Sequence, residues 1–210
     1  DMAYSGLTRI GPDSQPMPDL AKSWEGSPDA TEFTFHLREG VTFHDGTPAT
    51  SSDVVATYEA ILNPDIPSSA LSVLNMIDSV EAVDDLTVKF TLSSPFADFP
   101  TSTAHANARI ISEEALSGDL TKLDTVVNGT GPFKMESYDS ARVTRLVRND
   151  NYFSEGKPYL DAVEMHLFPD LAAETTNFLS GDIDVMLLVQ QADYARISST
   201  SGINALRVPS

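Results

Sequence analysis

The side chains able to do covalent or metal chemistry are few in kind. The chain of 210 residues carries four histidines and 31 acidic residues, and it has no cysteine. Without a thiol there is no cysteine nucleophile, no disulfide and no thiolate metal site. The histidines stand singly at His36, His44, His105 and His166, whereas a metal site needs several converging donors. No His-Glu-x-x-His segment occurs, and Asp182-Ile183-Asp184 is short of ligands for a calcium loop. A Gly-x-Ser-x-Gly elbow is absent. Gly156-Lys157 runs into Pro158, so it is no phosphate loop, and Gly129-Thr130-Gly131 lacks the third glycine of a dinucleotide site. Acid pairs such as Asp84-Asp85 and Glu113-Glu114 arise readily among so many carboxylates, and a glycosidase pair is defined by a separation that adjacency does not supply. The expectation is no catalytic residue, no metal site and no cofactor.

Recognition chemistry is better represented. Ser102, Thr103, His105, Asn107 and Arg109 gather polar side chains in one irregular stretch, and loops carry binding groups disproportionately. Trp24, Tyr152, Phe153 and Tyr159 have faces that can stack on a ligand, although aromatic rings more often supply core area. Asn128-Gly129-Thr130 matches a glycosylation sequon, and a tight turn is the simpler reason for those residues.

The elements that must hold these groups are legible in part. Hydrophobic residues make up 41% of the chain, enough for a packed core. A net charge of −18 repels phosphate backbones, which argues against nucleic-acid binding; excess surface acid also suits a saline habitat. No apolar run approaches the roughly 20 residues that span a bilayer. Charged, apolar and cleavage regions of a leader are not seen after Asp1, and the expectation is a processed or trimmed piece of a secreted protein.

Alternation of Phe33, Phe35 and Leu37 with Thr34 and His36 predicts a half-buried strand over 31–37. Thr50 with Asp53 predicts a helix start, Val54, Val55, Tyr58, Ile61 and Leu62 its buried stripe, and Asn63-Pro64 its stop. A short helix is expected over 71–77 and a hairpin over 80–92, turning at Asp84-Asp85. Further strands are expected at 133–138, 143–148 and 163–168, and helices at 112–116 and 171–180. The Leu-Ser-Gly-Asp strings at 116–119 and 179–182 predict the same helix stop used twice. The run 183–188 reads as a buried strand. Ligands in open α/β sheets lie beyond the carboxyl ends of strands, which makes Met186, Leu187 and Leu188 binding candidates. The class is α/β or α+β, with two subdomains meeting near residue 130.

The order of motifs then resembles a known family. Asp19-Leu20-Ala21-Lys22-Ser23-Trp24-Glu25 is followed by Phe33-Thr34-Phe35-His36-Leu37-Arg38-Glu39-Gly40-Val41-Thr42-Phe43-His44-Asp45-Gly46-Thr47-Pro48 and Asp53-Val54-Val55. Later come Gly129-Thr130-Gly131-Pro132-Phe133-Lys134, Arg148-Asn149-Asp150-Asn151-Tyr152-Phe153, Lys157-Pro158-Tyr159-Leu160-Asp161 and Leu179-Ser180-Gly181-Asp182-Ile183-Asp184. In this order they resemble the extracytoplasmic solute-binding proteins of peptide/nickel-type ABC importers, family 5.

The resemblance implies a class II periplasmic-binding-protein-like fold, here a partial first lobe with mixed sheets and flanking helices. It implies that 1–7 belong to the hinge-proximal domain, 8–128 to an extra domain typical of the family, and 129–210 to the first-lobe domain leading to the hinge. The second lobe is expected to be absent. The implied function is capture of a small solute, foremost an oligopeptide, between two lobes that close about a hinge, followed by delivery to membrane permease subunits. Oligosaccharide and nickel or another metal chelate are the alternative cargoes, a secreted hydrolase of peptides or glycans is the alternative class, and a ligand-free interaction or sensor domain is a third. The segment 102–109 is implied to reach the cleft, as is Tyr4 from the hinge side. Leu187-Leu188 departs from the polar residues common there and implies an apolar wall. A periplasmic or extracytoplasmic location, weak binding by this piece alone, and a homodimer through exposed lobe surface and an unpaired sheet edge complete the expectations.

Overall fold

The computed structural model describes residues 2–206. The chain opens with a short hairpin, β1 (Thr8–Ile10) against β2 (Pro16–Pro18), antiparallel with Thr8 opposite Pro18. These two strands form a sheet by themselves, so each keeps an edge where proline's missing N–H leaves no ladder bond unmade.

Next come β3 (Ala21–Gly26) and β4 (Glu32–Leu37). The expected alternation holds in β4: Phe33, Phe35 and Leu37 are buried and Thr34 and His36 are half-buried. Helix α1 (Ser51–Leu62) starts where expected, with the Thr50 N–H donating to Asp53 Oδ2 at 2.8 Å, and stops at Asn63 before the proline. Asp53 has a second task. Its Oδ1 accepts from the Glu113 N–H at 2.9 Å and so ties the start of α1 to a helix 60 residues away.

Helix α2 (Leu71–Leu74) is shorter than expected, because Ile77 already belongs to β5 (Ile77–Asp84), which pairs with β6 (Thr87–Leu92). The second sheet runs β3-β4-β6-β5, antiparallel throughout. Its inner face carries Phe35 and Phe90, centroids 5.5 Å apart and near-perpendicular, with Tyr58 of α1 set edge-on to Phe90 at 4.8 Å. Aromatic edges prefer aromatic faces, which fixes this cluster beyond simple area burial. Phe99, at the start of α3 (Phe99–Ser102), closes it.

Helix α4 (Glu113–Ser117) is capped by the Ser112 hydroxyl, and a 3₁₀ turn (Leu120–Asp124) follows. A third sheet runs β7 (Phe133–Tyr138), β8 (Val143–Arg148), β9 (Ala162–His166) in that order. Helices α5 (Leu171–Ser180) and α6 (Gln191–Ser199) complete the chain. By contacts, the described residues divide into one compact unit of 2–137 with 145–163 and a second of 138–144 with 164–206.

Two expectations are corrected. The run 183–188 is not a strand: Val185, Leu187 and Leu188 are largely exposed, and none of the described strands pairs with it. An apolar run states a demand for burial, but a strand also needs a neighbour for its backbone. The two Leu-Ser-Gly-Asp strings end their helices differently. Gly181 sits at φ +85°, the left-handed stop, with its N–H and that of Asp182 returning to α5 carbonyls. Gly118 sits at φ −91°, ψ −149°, an extended exit.

The Gly129-Thr130-Gly131 segment has a more specific reason than a turn. The Gly131 N–H donates to Ala3 O and the Phe133 N–H to Met2 O, each at 3.0 Å. A Cβ on either glycine would overlap the Ala3 backbone, so the glycines are there for close approach.

Candidate functional site

In the first unit a cavity of about 360 Å³ is walled by side chains that come from six separate places in the chain, Pro132 among them. Tyr4 precedes β1, Arg9 lies on β1, and Asp19 follows β2. Arg109 follows α3 beside Ala104, and Tyr152 lies between β8 and β9. The hairpin β1–β2 and the residue after it thus supply Arg9 and Asp19, and the irregular stretch after α3 supplies Arg109.

Asp19 is the anchor. It is buried, and its Oδ2 accepts from the Gly6 N–H at 3.0 Å. Its own carbonyl accepts from Arg38 Nε at 2.7 Å. Burial pushes the Asp19 carboxyl up, opposed by the Gly6 hydrogen bond and by the charges of Arg109, Arg9 and Arg38. Burial likewise pushes the Arg109 guanidinium down, opposed by Asp19. Each charge is costly to desolvate and is stabilised by the other. Arg38 is also held over the Phe153 ring, 5.3 Å from its centroid.

The tyrosines are donors. Burial raises both the Tyr4 and Tyr152 phenols above their ordinary value, and the Asn128 N–H bonds the Tyr4 oxygen. Both stay protonated at neutral pH, so the cavity presents O–H groups rather than phenolates. Guanidinium and phenol donors around one anchored carboxylate constitute recognition chemistry: they bind and orient polar groups.

Gly6 makes the arrangement fit. A Cβ there would stand 2.8 Å from Arg109 Nη1 and 2.9 Å from Thr8 O, so only glycine lets the guanidinium lie against this backbone.

The expected binding residues fall in several places. Tyr4 and Arg109 meet in the cavity. Thr103 is fully buried, with its hydroxyl bonded to Thr8 Oγ1 at 2.8 Å and Pro100 O at 2.9 Å, which makes it scaffold. Ser102 ends α3, and its carbonyl accepts the His105 N–H. His105 Nδ1 accepts from the Asn107 N–H at 3.2 Å, and Asn107 Nδ2 donates to Ser69 Oγ. None of Ser102, His105 and Asn107 lines the cavity. Met186 and Leu187 belong to the second unit, where they line an apolar cavity of about 980 Å³ with Phe178, Tyr194 and Ile197. Leu188 is exposed and does not line it.

Arg9 and Asp19 are the cavity residues that local reading passes over. Neither stands in a reactive motif, and what unites them with Arg109 is tertiary. Among the aromatics, Tyr152 reaches the cavity, Trp24 stacks on Phe35 at 6.1 Å, and Tyr159 is exposed. Among the described residues, no three His, Asp or Glu side chains come together in a way that could hold a metal.

A mixed fold with a polar cavity does not by itself define a role, and the comparisons with known proteins give the family. The profile of the bacterial extracellular solute-binding proteins, family 5 (Middle), matches residues 15–210. The chain belongs to that family. It is 34% identical over 160 residues to the glutathione-binding protein GsiB of Pectobacterium atrosepticum, covering 76% of this chain and 31% of that one. It is 31% identical to the dipeptide-binding protein of Escherichia coli, covering 92% and 40%. Among solved structures, AgaA of A. tumefaciens R10, in complex with agropinic acid, is 36% identical with a TM-score of 0.89, covering 95% of this chain and 40% of that one. The chain therefore spans between about a third and two fifths of the length of these relatives.

Proposed function

We propose that the chain is part of the substrate-binding component of an ABC importer, which captures a small solute, foremost an oligopeptide, and hands it to permease subunits in the membrane. The observation that carries this reading is the family match over residues 15–210. Relatives named for dipeptide and glutathione binding favour a peptide-like cargo. The cavity at Tyr4 and Arg109 is the candidate solute surface of the first unit, and the apolar surface at Met186, Leu187 and Leu188 is that of the second, each taken by itself. The protein acts by binding and releasing; ATP hydrolysis belongs to a separate subunit. It works outside the cytoplasm, and no helix among the described residues is long and apolar enough to cross a membrane.

Within a two-lobed protein, residues 1–7 and 129–210 belong to the hinge-side domain and 8–128 to the added one. Exposed Val185, Leu187 and Leu188 supply apolar surface for self-association of this piece.

Calorimetry tests the reading directly. The longer protein is titrated with a panel of di- to pentapeptides, oligosaccharides and nickel chelates. Micromolar heats from peptides support the proposal. Binding confined to sugars or chelates moves the cargo class, and steady turnover of any of them overturns the reading in favour of a hydrolase.

A further inference from the structure

We infer that Asn128 is a latent modification site: its bond to Gly129 is of the kind that deamidates through a succinimide, and a clasp made by His44 and Asp45 holds it unreactive while the chain is folded. The inference lies outside the solute-binding reading and does not depend on the cargo.

Reactivity comes from the sequence. Asn128-Gly129 is the single Asn-Gly pair in the chain, and Asp45-Gly46 is the single Asp-Gly pair. Asparagine is a thermolabile residue, and glycine offers the side chain before it the least hindered backbone nitrogen. In the reaction the Gly129 nitrogen bonds to Asn128 Cγ and the Cγ–Nδ2 bond breaks. Nδ2 leaves as ammonia, carrying the proton of the Gly129 N–H. Water then opens the imide at either carbonyl, giving aspartate or isoaspartate. The balance is amide plus water to carboxylic acid plus ammonia, and nothing is oxidised or reduced.

Restraint comes from the fold. Asn128 Oδ1 accepts from the Asp45 N–H at 3.2 Å, and Asn128 Nδ2 donates to Asp45 Oδ2 at 2.7 Å. Two bonds to one residue fix the plane of the amide. The Gly129 N–H donates to His44 Nδ1 at 3.4 Å, and its carbonyl accepts from the His44 N–H at 2.9 Å. Nucleophile and target are thus tied to two adjacent residues that lie more than 80 positions earlier in the chain. Asp45 is itself held, because its Oδ1 accepts from the Thr47 N–H at 2.9 Å and from Thr47 Oγ1 at 2.7 Å. Gly129 is buried against the Ala3 backbone, which leaves the segment little room to rotate. Ring closure needs the Gly129 nitrogen to turn onto the face of the Asn128 amide. The clasp must open first, and a free peptide meets no such barrier.

The same contacts have an opposite reading. His44 could act as a base at the Gly129 N–H, and the Asp45 N–H could stabilise charge on the amide oxygen. Tight packing at Gly129 favours restraint, and the two readings place the rate on opposite sides of the free peptide's. Conversion has a consequence of its own. Aspartate at position 128 sets a carboxylate against that of Asp45, and like charges so close repel. The Asn128 N–H also bonds the Tyr4 oxygen, so an opened clasp reaches a wall of the polar cavity.

The test incubates the 210-residue chain beside a synthetic peptide of residues 125–133 at mildly alkaline pH. Peptide mapping by mass spectrometry counts aspartate and isoaspartate at position 128. The folded chain is expected to react at least about tenfold more slowly than the peptide, the effect of one or two hydrogen bonds on a barrier. In denaturing urea the two rates should meet. Asp45→Ser keeps a side-chain oxygen for the Thr47 N–H but is too short for Asn128, and it should raise the rate several-fold while the amides of β4 and β6 stay protected from exchange. Hydrogen exchange in the unaltered chain needs no variant: the Gly129 amide should be protected. A folded chain that reacts as fast as the peptide or faster overturns the inference. So does a Gly129 amide that exchanges at the peptide's rate, or an unchanged rate in a folded Asp45→Ser. Should Asp45→Ser fail to fold, the chain-against-peptide rates and the Gly129 exchange decide the matter.

Discussion

Gly6 and His44 show how much a single residue carries here. Gly6 is buried with Arg109 lying against it. Gly6→Ala must push either the guanidinium or the Thr8 backbone, so we expect a loss of roughly 1–3 kcal/mol, typical of overpacking, measured by urea unfolding. His44 is held by Gly131 O at 3.1 Å from Nε2 and takes the Gly129 N–H at Nδ1, a pairing that fits the neutral ring. Burial is the largest influence, and with nearby Lys134 it keeps the ring's affinity for protons below the ordinary value. The folded chain then binds fewer protons at His44 than the unfolded chain. Stability from this residue is present above about pH 6.5 and declines as the pH falls through that value. Melting temperatures between pH 8 and pH 5 should fall less for His44→Gln than for the unaltered chain. The depressed carboxyls of Asp45 and Asp84 titrate lower and leave that window alone. Of this residue-scale picture, the composition of the 102–109 stretch pointed to Arg109 and the family resemblance to Tyr4. Asp19 and Arg9 were out of reach, since their meaning lies in partners that the hairpin and the stretch after α3 bring together.

At the scale of elements, legibility tracks periodicity. Strands β4 and β6 and helices α1 and α5 announce themselves because each has a full repeat and a defined end. Strands β1 and β2 have three residues apiece, two of them proline in β2, and no repeat can show in so few. The run 183–188 failed for the opposite reason: its apolar character was plain, while its backbone partner was not something that a local pattern encodes. Asp53 joins the two cases. Its cap on α1 is readable from Thr50, three residues before it, but its bond to the Glu113 N–H is not. Asp53→Ala should therefore cost more than an isolated cap, roughly 2 kcal/mol in denaturant unfolding, since a cap is worth about 1 and a stranded, partly buried donor adds to it. Thr50→Ala leaves both backbone donors satisfied and should cost about 1 kcal/mol or less.

For the whole molecule, the described residues divide into two units, each with a cavity of its own. The polar cavity lies in one unit and the apolar one in the other. Relatives extend over more than twice this length, and the proposed two-lobed site would draw on more chain than these 210 residues. On the proposed reading, binding by the 210 residues is weak and binding by a longer protein is strong. Mass spectrometry of small molecules released from the longer protein, purified under native conditions, tests this most directly. A stoichiometric solute of peptide-like character is the expected result. A protein that emerges empty and converts such solutes to products, with none retained, would contradict it.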